Sequence, residues 1–569
     1  MRARGELEVE RARPAWRHAV ALVAALVYLL LTGLAASPYD DSFFFKRIAL
    51  HFLAGHGFSW NVADGPVHGL TSQLFGLLAV PLTWLWPNHF VLASKLCLAA
   101  SFAVLVAVSV RFAARAAVPA PAAGVLLLLA FGTPLALLEP HTGMETSLCL
   151  AVLAVALAQI AAFRERASSP RESAGYDVRC ALLTALVYTC RPDAALLPAL
   201  SFVVLQRRNR VSLLRYGGLL AVLMAGLWAL FHAYYGSALP LSFYAKTAGL
   251  SAFDSELRQA GVPGKIQHLL TFSAFSAPLA WLALRGARGG DARVRALLGA
   301  SAAFVAYQAL LTDEIMGYRA RFYLPAIVPL AFAALLGWQQ ARARTQPAAA
   351  FRAWLVWAAG IFLAYALGGV ERGRSALEGV PFGAYAAALV LGVLLCDGLR
   401  QTPRLSARGA TWASIGALAF GAACLQAPRL PHAPLADDAF LRRASAEVTT
   451  TRGLFEVARC IAGPETLYHS EIGVPGLVLP DWRVVDLVGL MSTELAQRRP
   501  PFDAYCLRDR PAVLFLPHKN YRALNAEIRK SACLREYTLA VQDSSSPLYI
   551  RSDLSPAFNA CRRDAWRVP

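Results

Sequence analysis

The chain has 569 residues, 57% of them hydrophobic and only 16% charged, with a formal charge of +19. An average soluble chain carries about 25% charged residues, so this composition excludes an ordinary water-soluble domain. It also argues against a nucleic-acid partner, because the cations fall in short Arg-rich stretches between apolar runs rather than forming one basic footprint.

The apolar runs lie near 18–36, 70–86, 89–111, 121–138, 144–163, 213–235, 266–284, 294–312, 323–338, 352–370, 380–396 and 409–427. Their lengths match the hydrocarbon core of a bilayer and predict a polytopic α-helical membrane protein of about 11–13 segments. The first run reads as an uncleaved anchor, since further spans follow it. Runs 70–86 and 89–111 are separated only by PNH, so one of them is expected to be short or re-entrant. All but six of the 55 basic residues are Arg. The stretches RARPAWRH, RFAAR, RERASSPRES, QRRNR, RGARGGDARVR, WQQARARTQ and LRQTPRLSARG are assigned to the cytoplasmic side by the positive-inside rule. The loops holding Asp40 and Asp41, HTGMET, YYGSALPLSFYAKT and TDEIMGYRARFY then face the opposite side.

Taken in chain order, the first feature is SPYDDSFFFKRIALHFLAGHGFSW, directly after the first run. Phe44, Phe45, Ile48, Phe52 and Leu53 share one helical face, with Lys46 and Arg47 on its flank. This predicts an amphipathic helix lying in the membrane interface, with Asp40 and Asp41 at headgroup depth. The two acids read either as a solvated helix cap or as functional carboxylates. The loop that follows, GHGFSWN and then PVHGLTS, is expected to bring His56, His68 and Thr71 near them. Those histidines suit phosphate or metal contact, or a structural role.

Glu145 in HTGMETS reads either as a carboxylate at a helix start, a position the helix dipole favours, or as a site residue in substrate binding or catalysis. Arg191 and Asp193 interrupt an apolar stretch in YTCRPDAALL; charges at membrane depth are costly and by default suggest function. Residues 180–205 read as a helical hairpin with these charges at its tip, and a local ion pair pinning the turn fits equally. Lys246, Arg319 and Arg321 are outer-face cations among aromatics. They serve either as interfacial anchors or as a cradle for an anionic lipid headgroup. HExxH, closely spaced His/Cys sets and a phosphate loop are absent, so no metal site is predicted; a divalent cation is left open.

The composition changes near APRLPHAPLADD. Residues 1–427 are expected to form the membrane domain and 428–569 an extracytoplasmic α/β domain. In the latter, ETLYHSEIGVPGLVL, WRVVDLVGL, AVLFL, EYTLAV and PLYIR read as strands. The flanking segments 437–462 and 520–534 read as helices. Cys97, Cys149, Cys180, Cys190, Cys396 and Cys424 fall in or beside apolar runs and are expected to pack as small hydrophobes. Cys460, Cys506, Cys533 and Cys561 share the exported domain and predict two disulfides, with three connectivities open.

The order of YDDSFFFKRIALHFLAGHGFSWN, PVHGLTS, HTGMETSL, RPDAALL, YYGSALPLSFYAK, RFYLPAIVPL and VVDLVGL resembles the GT-C superfamily of polyprenyl-phosphate-sugar-dependent membrane glycosyltransferases. Within it, the terminal arabinofuranosyltransferases of the bacterial cell envelope are the nearest resemblance. Where that family often has a Glu-Gly-Tyr-Thr run this chain has VHGLT, so acceptor contacts are expected to differ. The resemblance implies a multi-pass protein of the bacterial inner membrane. It implies a polyprenyl-phosphate sugar donor, with arabinofuranose the nearest analogy, and a glycan or glycoprotein acceptor. It implies an Asp of the first outer loop as base: Asp40 is the first choice, with Asp41 orienting the acceptor or a neighbour, and the reverse assignment stays open. A transporter or flippase of lipid-linked sugars is the alternative; it calls for internal repeats and midplane charges, and no repeat is visible.

Overall fold

The computed structural model describes residues 40–131, 144–162, 170–246, 254–312, 318–344, 437, 441, 449–517, 521–543 and 546–565. The first expected span, the three expected between 352 and 427, and the domain boundary at 428 lie outside the described residues.

The membrane part consists of helices α1 Ser42–Leu53, α2 Gln73–Leu85, α3 Phe90–Arg115, α4 Ala120–Phe131, α5 Thr146–Ala161, α6 Pro170–Cys190, α7 Leu196–Gln206, α8 Arg210–Tyr235, α9 Leu241–Lys246, α10 Asp254–Ala287, α11 Ala292–Leu311 and α12 Ile327–Arg344. Local chemistry sets several of their ends. Ser72 Oγ accepts the Phe75 N–H at 3.2 Å to start α2, and Asn209 Oδ1 accepts the Ser212 N–H at 3.1 Å to start α8; both satisfy donors that helices leave unpaired. α8 ends at Gly236, whose φ of +70° is the left-handed cap glycine adopts freely.

Among the described residues, Phe90–Arg115, Arg210–Tyr235, Ala292–Leu311 and Ala320–Trp338 are long and apolar enough to cross a bilayer. α2, with 13 residues and Pro81 inside it, is the short member of its pair. At 1.5 Å per residue it covers roughly 20 Å of a core about 30 Å thick. α10 and α12 cross backbone to backbone: a Cβ on Gly286 would collide with Gly337. Small residues permit such approach where lipid supplies no hydrophobic drive between helices. Cys149, Cys180 and Cys190 are buried free thiols and Cys97 is half-buried, as expected of small core residues.

The C-terminal domain runs α13 Thr449–Cys460, β1 Thr466–His469, α14 Gly473–Val478, β2 Arg483–Asp486, α15 Thr493–Gln497, α16 Phe502–Asp509, β3 Val513–Phe515, α17 Arg522–Lys530, β4 Tyr537–Val541, β5 Leu548–Arg551 and α18 Ser555–Ala565. The strand order is β2-β1-β3-β5-β4. β2, β1 and β3 are parallel, whereas β5 is antiparallel to both β3 and β4. Alternation along the strands splits the core. Leu467, Val484, Val513, Leu548 and Ile550 pack with Leu454, Val457 and Phe558 of α13 and α18. Tyr468, Val485 and Leu514 pack with Phe502, Tyr505 and Ile528 of α16 and α17. One disulfide lies in each layer: Cys460–Cys561 joins α13 to α18, and Cys506–Cys533 ties α16 to the turn after α17. All five expected strands form. The expected first strand, however, stops at His469, because GVPGLV turns into α14.

The amphipathic interfacial helix needs correction. Residues 42–49 of α1 are buried on every side, including Phe43, Lys46 and Arg47. α2 covers one flank and α14 of the C-terminal domain another. The helix is therefore an internal brace between domains. Only its last turn keeps the expected character, with Leu50, Phe52 and Leu53 exposed.

Candidate functional site

The site is built where the first outer loop meets the C-terminal domain. Arg47 fixes the docking. Its Nε donates to the Trp60 carbonyl at 2.9 Å, Nη1 to Gly476 at 2.5 Å and Leu479 at 3.1 Å, and Nη2 to Trp482 at 2.8 Å. The guanidinium also stacks over the Trp60 ring at 4.9 Å. A fork of five donors suits a set of diverging carbonyls in a way an ammonium cannot. Asn61 treats β2 as a neighbouring strand would. Its Oδ1 accepts the Val484 N–H at 2.9 Å and its Nδ2 donates to the Val484 carbonyl at 3.1 Å. Trp60 Nε1 donates to that same carbonyl at 2.7 Å. β2 is an edge strand, and such an edge needs covering. Further along, a Cβ on Gly69 would collide with Met491, and Arg499 Nη2 donates to the Tyr244 carbonyl of α9 at 3.0 Å. The loop of Asp40 and the loop around α9, assigned to one face by charge, thus share one docked domain.

Asp40 lies under this contact. Its Oδ2 accepts the Gly473 N–H and its Oδ1 the Val474 N–H, both at 2.6 Å. Burial pushes its carboxyl up from 3.8 to about 7; the Asp41 charge adds to the rise, and the two N–H bonds oppose it. Glu471, just before α14, is driven well above the usual carboxylate range by burial and by the charges of Asp40, Asp41 and Asp486. Asp486 ends β2, and burial raises it to about 7 against the opposing pull of main-chain N–H groups. It accepts from Val488 at 2.8 Å and Met491 at 3.0 Å, shaping the VVDLVGL loop that reaches Gly69. The arrangement gathers carboxyls with raised proton affinity, Asp40 and Asp486 to about 7. Among the described residues, no group of three or more His, Cys, Asp or Glu is disposed to hold a metal ion.

Other predicted residues lie elsewhere. Lys46 is held in a buried ion pair with Asp437 at 2.7 Å, and Asp437 also accepts the Phe90 and Val91 N–H groups that open α3. His56 is exposed. His68 bonds the Ser237 carbonyl through Nδ1 at 2.9 Å and stacks on Tyr235; burial lowers its pKa, which favours the neutral ring. Thr71 is half-buried just ahead of α2. A second polar group forms among the helices. Arg191 grips Asp193 with two bonds, at 2.9 and 3.2 Å, and Gln308 donates to Asp193 at 2.6 Å. Arg191 and Arg321 each lie 5.3 Å from the Phe322 ring centroid. Glu145, at the start of α5, is buried and within electrostatic reach of Arg191. The side chains of Lys246 and Arg319 lie outside the described residues.

Sequence reasoning missed Arg47, Trp60, Asn61, Glu471, Asp486 and the Gly473–Val474 pair. Most of their partners are more than 400 positions away, and no local period reports that. The glycines of GVPG were the one visible signal, since a glycine often marks close backbone approach. A Cβ on Gly473 would indeed collide with the main-chain carbonyl of Asp40.

No protein-family model matches the sequence, and no curated protein matches it. Solved structures do share its fold. ArnT from Cupriavidus metallidurans in the apo state superposes with a TM-score of 0.57 at 18% identity, covering 95% of this chain and 99% of that one. The same protein bound to undecaprenyl phosphate gives a TM-score of 0.52 at 16% identity, covering 94% and 97%. The chain therefore shares the fold of these solved structures, with apolar helices joined to a small sheet domain.

Proposed function

We propose that this protein is a membrane glycosyltransferase that moves one sugar from a polyprenyl-phosphate donor to an envelope glycan or protein acceptor on the extracytoplasmic face. One observation carries the reading: the fold is shared almost end to end with a protein solved with undecaprenyl phosphate, and Asp40, half-buried against the docked C-terminal domain, has its carboxyl raised to about 7. The C-terminal domain is taken to be extracytoplasmic because the loops it sits on are poor in Arg, whereas the opposite loops are rich in it.

In the reaction, the acceptor hydroxyl oxygen attacks the anomeric carbon while its proton passes to the Asp40 carboxylate. The bond between that carbon and the phosphate oxygen breaks, and polyprenyl phosphate leaves with the electron pair. A carboxylate whose pKa lies near the working pH combines a usable ionised fraction with useful proton affinity. Asp41 orients the acceptor. Arg191, Arg319, Arg321 and Lys246 supply positive charge for the leaving phosphate. By resemblance the sugar is a pentose, arabinofuranose being the first to try.

The test is transfer by the purified protein in lipid from synthetic polyprenyl-phosphate sugars, alongside mass spectrometry of envelope glycans and glycoproteins from a deletion strain. Release of polyprenyl phosphate with gain of one sugar on the acceptor is expected. A deletion strain with an unaltered glycan profile, together with donor turnover no faster than that of Asp40→Asn, would reject the reading.

A further inference from the structure

Building on the glycosyltransferase reading, we propose that the C-terminal domain is a working part of the active site: the N–H groups of Gly473 and Val474 position the Asp40 carboxylate for proton abstraction. Gly473 and Val474 are positioning residues; Asp40 is the group that meets the acceptor.

The geometry is a clamp between two short pieces of chain. Asp40 and Arg47 flank the first turns of α1, and together they hold both ends of α14. Asp40 receives the two N–H groups at its start, and Arg47 donates to the Gly476 and Leu479 carbonyls at its end. An acid at the start of a helix and a base at its end match the peptide dipoles. Gly473 makes the approach attainable, since a side chain there would strike the Asp40 carbonyl. Gly476 does the same at the other end, where a Cβ would lie 2.6 Å from the Trp60 ring and 2.8 Å from the Arg47 side chain.

Each carboxylate oxygen has about two acceptor positions. One N–H on each oxygen therefore fixes the plane of the group and leaves a lone pair on each for the incoming hydroxyl proton. Glu471, immediately before α14, closes the same corner against Asp40 and Asp41. Removal of the domain would leave Asp40 free to rotate in water.

The experiment uses the full chain in lipid and replaces one donor. Val474→Pro deletes the N–H that meets Oδ1, at a first-turn position where a helix tolerates proline. Arg522→Pro, in the first turn of α17, is the matched control and should keep wild-type kinetics. For Val474→Pro the expected result is a kcat lower by roughly tenfold to a hundredfold with donor KM nearly unchanged. The acid limb of the kcat profile should move to higher pH, because the ionised form loses a hydrogen bond. A wild-type kcat, an unmoved acid limb or a faster enzyme each overturns the proposal, the last by showing that the clamp restrains the base. If non-reducing peptide maps show that Val474→Pro has lost its disulfides, Gly473→Ala replaces it, and a wild-type rate there overturns the proposal equally. Infrared titration of the Asp40 carboxyl, with Asp40→Asn subtracted, needs no turnover. Should the wild type transfer no sugar, the glycosyltransferase reading fails while this titration still decides the clamp: an upward shift in Val474→Pro supports it, and no shift overturns it.

Discussion

Two polar groups in this molecule stabilise a carboxylate in different ways. Asp193 has a full positive partner in Arg191, two residues away, and an amide from Gln308. Asp40 has main-chain N–H groups from more than 400 residues away, and other acids for neighbours. Asp193 is thus matched by a full opposite charge. Asp40 instead meets main-chain dipoles beside like charges, and burial raises its carboxyl to about 7. The first kind suits a static field around a phosphate, and the second suits moving a proton. The separation follows from topology: the Arg191 group lies within the helical bundle, whereas the Asp40 group exists only while two domains are docked.

Replacing the two carboxylates should expose that difference most sharply at Asp40. Asp40→Asn is expected to lower the single-turnover transfer rate by 10²- to 10⁴-fold, about 2.7 to 5.5 kcal/mol of barrier, as for loss of a general base. Donor affinity, measured by equilibrium binding, should change little. Asn offers one acceptor oxygen where Asp offers two, so one of the α14 N–H groups will also lose its partner. Asp41→Asn should cost less, since it only orients. If Asp40→Asn stays within a few-fold of wild type, the base must be sought at Asp41 or Glu145 instead.

How much of this contrast was legible in the sequence differs between the two groups. Arg191 and Asp193 are two residues apart in the chain, and the turn at Pro192 announces their pairing. The five strands were legible because VVD, VLF and LYI show β-rich apolar runs between turn signals. The membrane character was legible from span length alone. Asp40 itself was visible, but its environment was not. GVPGLV reads as part of a strand, and its helix forms where Arg47 and Asp40 hold its two ends. α1 shows an amphipathic pattern that fits a membrane surface. Its polar flank in fact meets protein: Arg47 meets carbonyls, and Lys46 meets Asp437. Periodicity reports which face is apolar and not what covers the other.

A smaller effect is expected from Arg191→Lys. Nε and Nη2 of Arg191 already bond Asp193, so Nη1 is the nitrogen that remains for a phosphate. Lys can keep one contact but cannot hold the carboxylate in a fork while reaching a second anion. Donor KM should rise roughly tenfold, about 1.4 kcal/mol, with kcat falling less. An unchanged KM would make the pair a pin for the α6–α7 turn and shift donor binding toward Arg319 and Arg321.

The mildest perturbation is pH, and the docked group is where its effect is followed. Docking raises the Asp40 carboxyl from its ordinary 3.8 to about 7. Docking therefore takes up a proton between those values. Its contribution is fully present below about 3.8, is lost as pH rises toward 7, and is flat above that. For a pKa near 7, lowering the pH from about 7.5 to about 6.5 should favour the docked state about threefold. Hydrogen exchange at the Gly473 and Val474 amides reads this directly, because those protons are released only when α14 leaves Asp40. After correction for the intrinsic pH dependence of exchange, their protection should rise about threefold over that unit. Asp40→Asn should weaken the trend, leaving the part that Glu471 and Asp486 contribute. Amides of α11 that report opening of the helical bundle should show no such trend. Protection that grows with rising pH, or that follows the same curve in Asp40→Asn, would mean that the domain is held by groups other than this carboxyl.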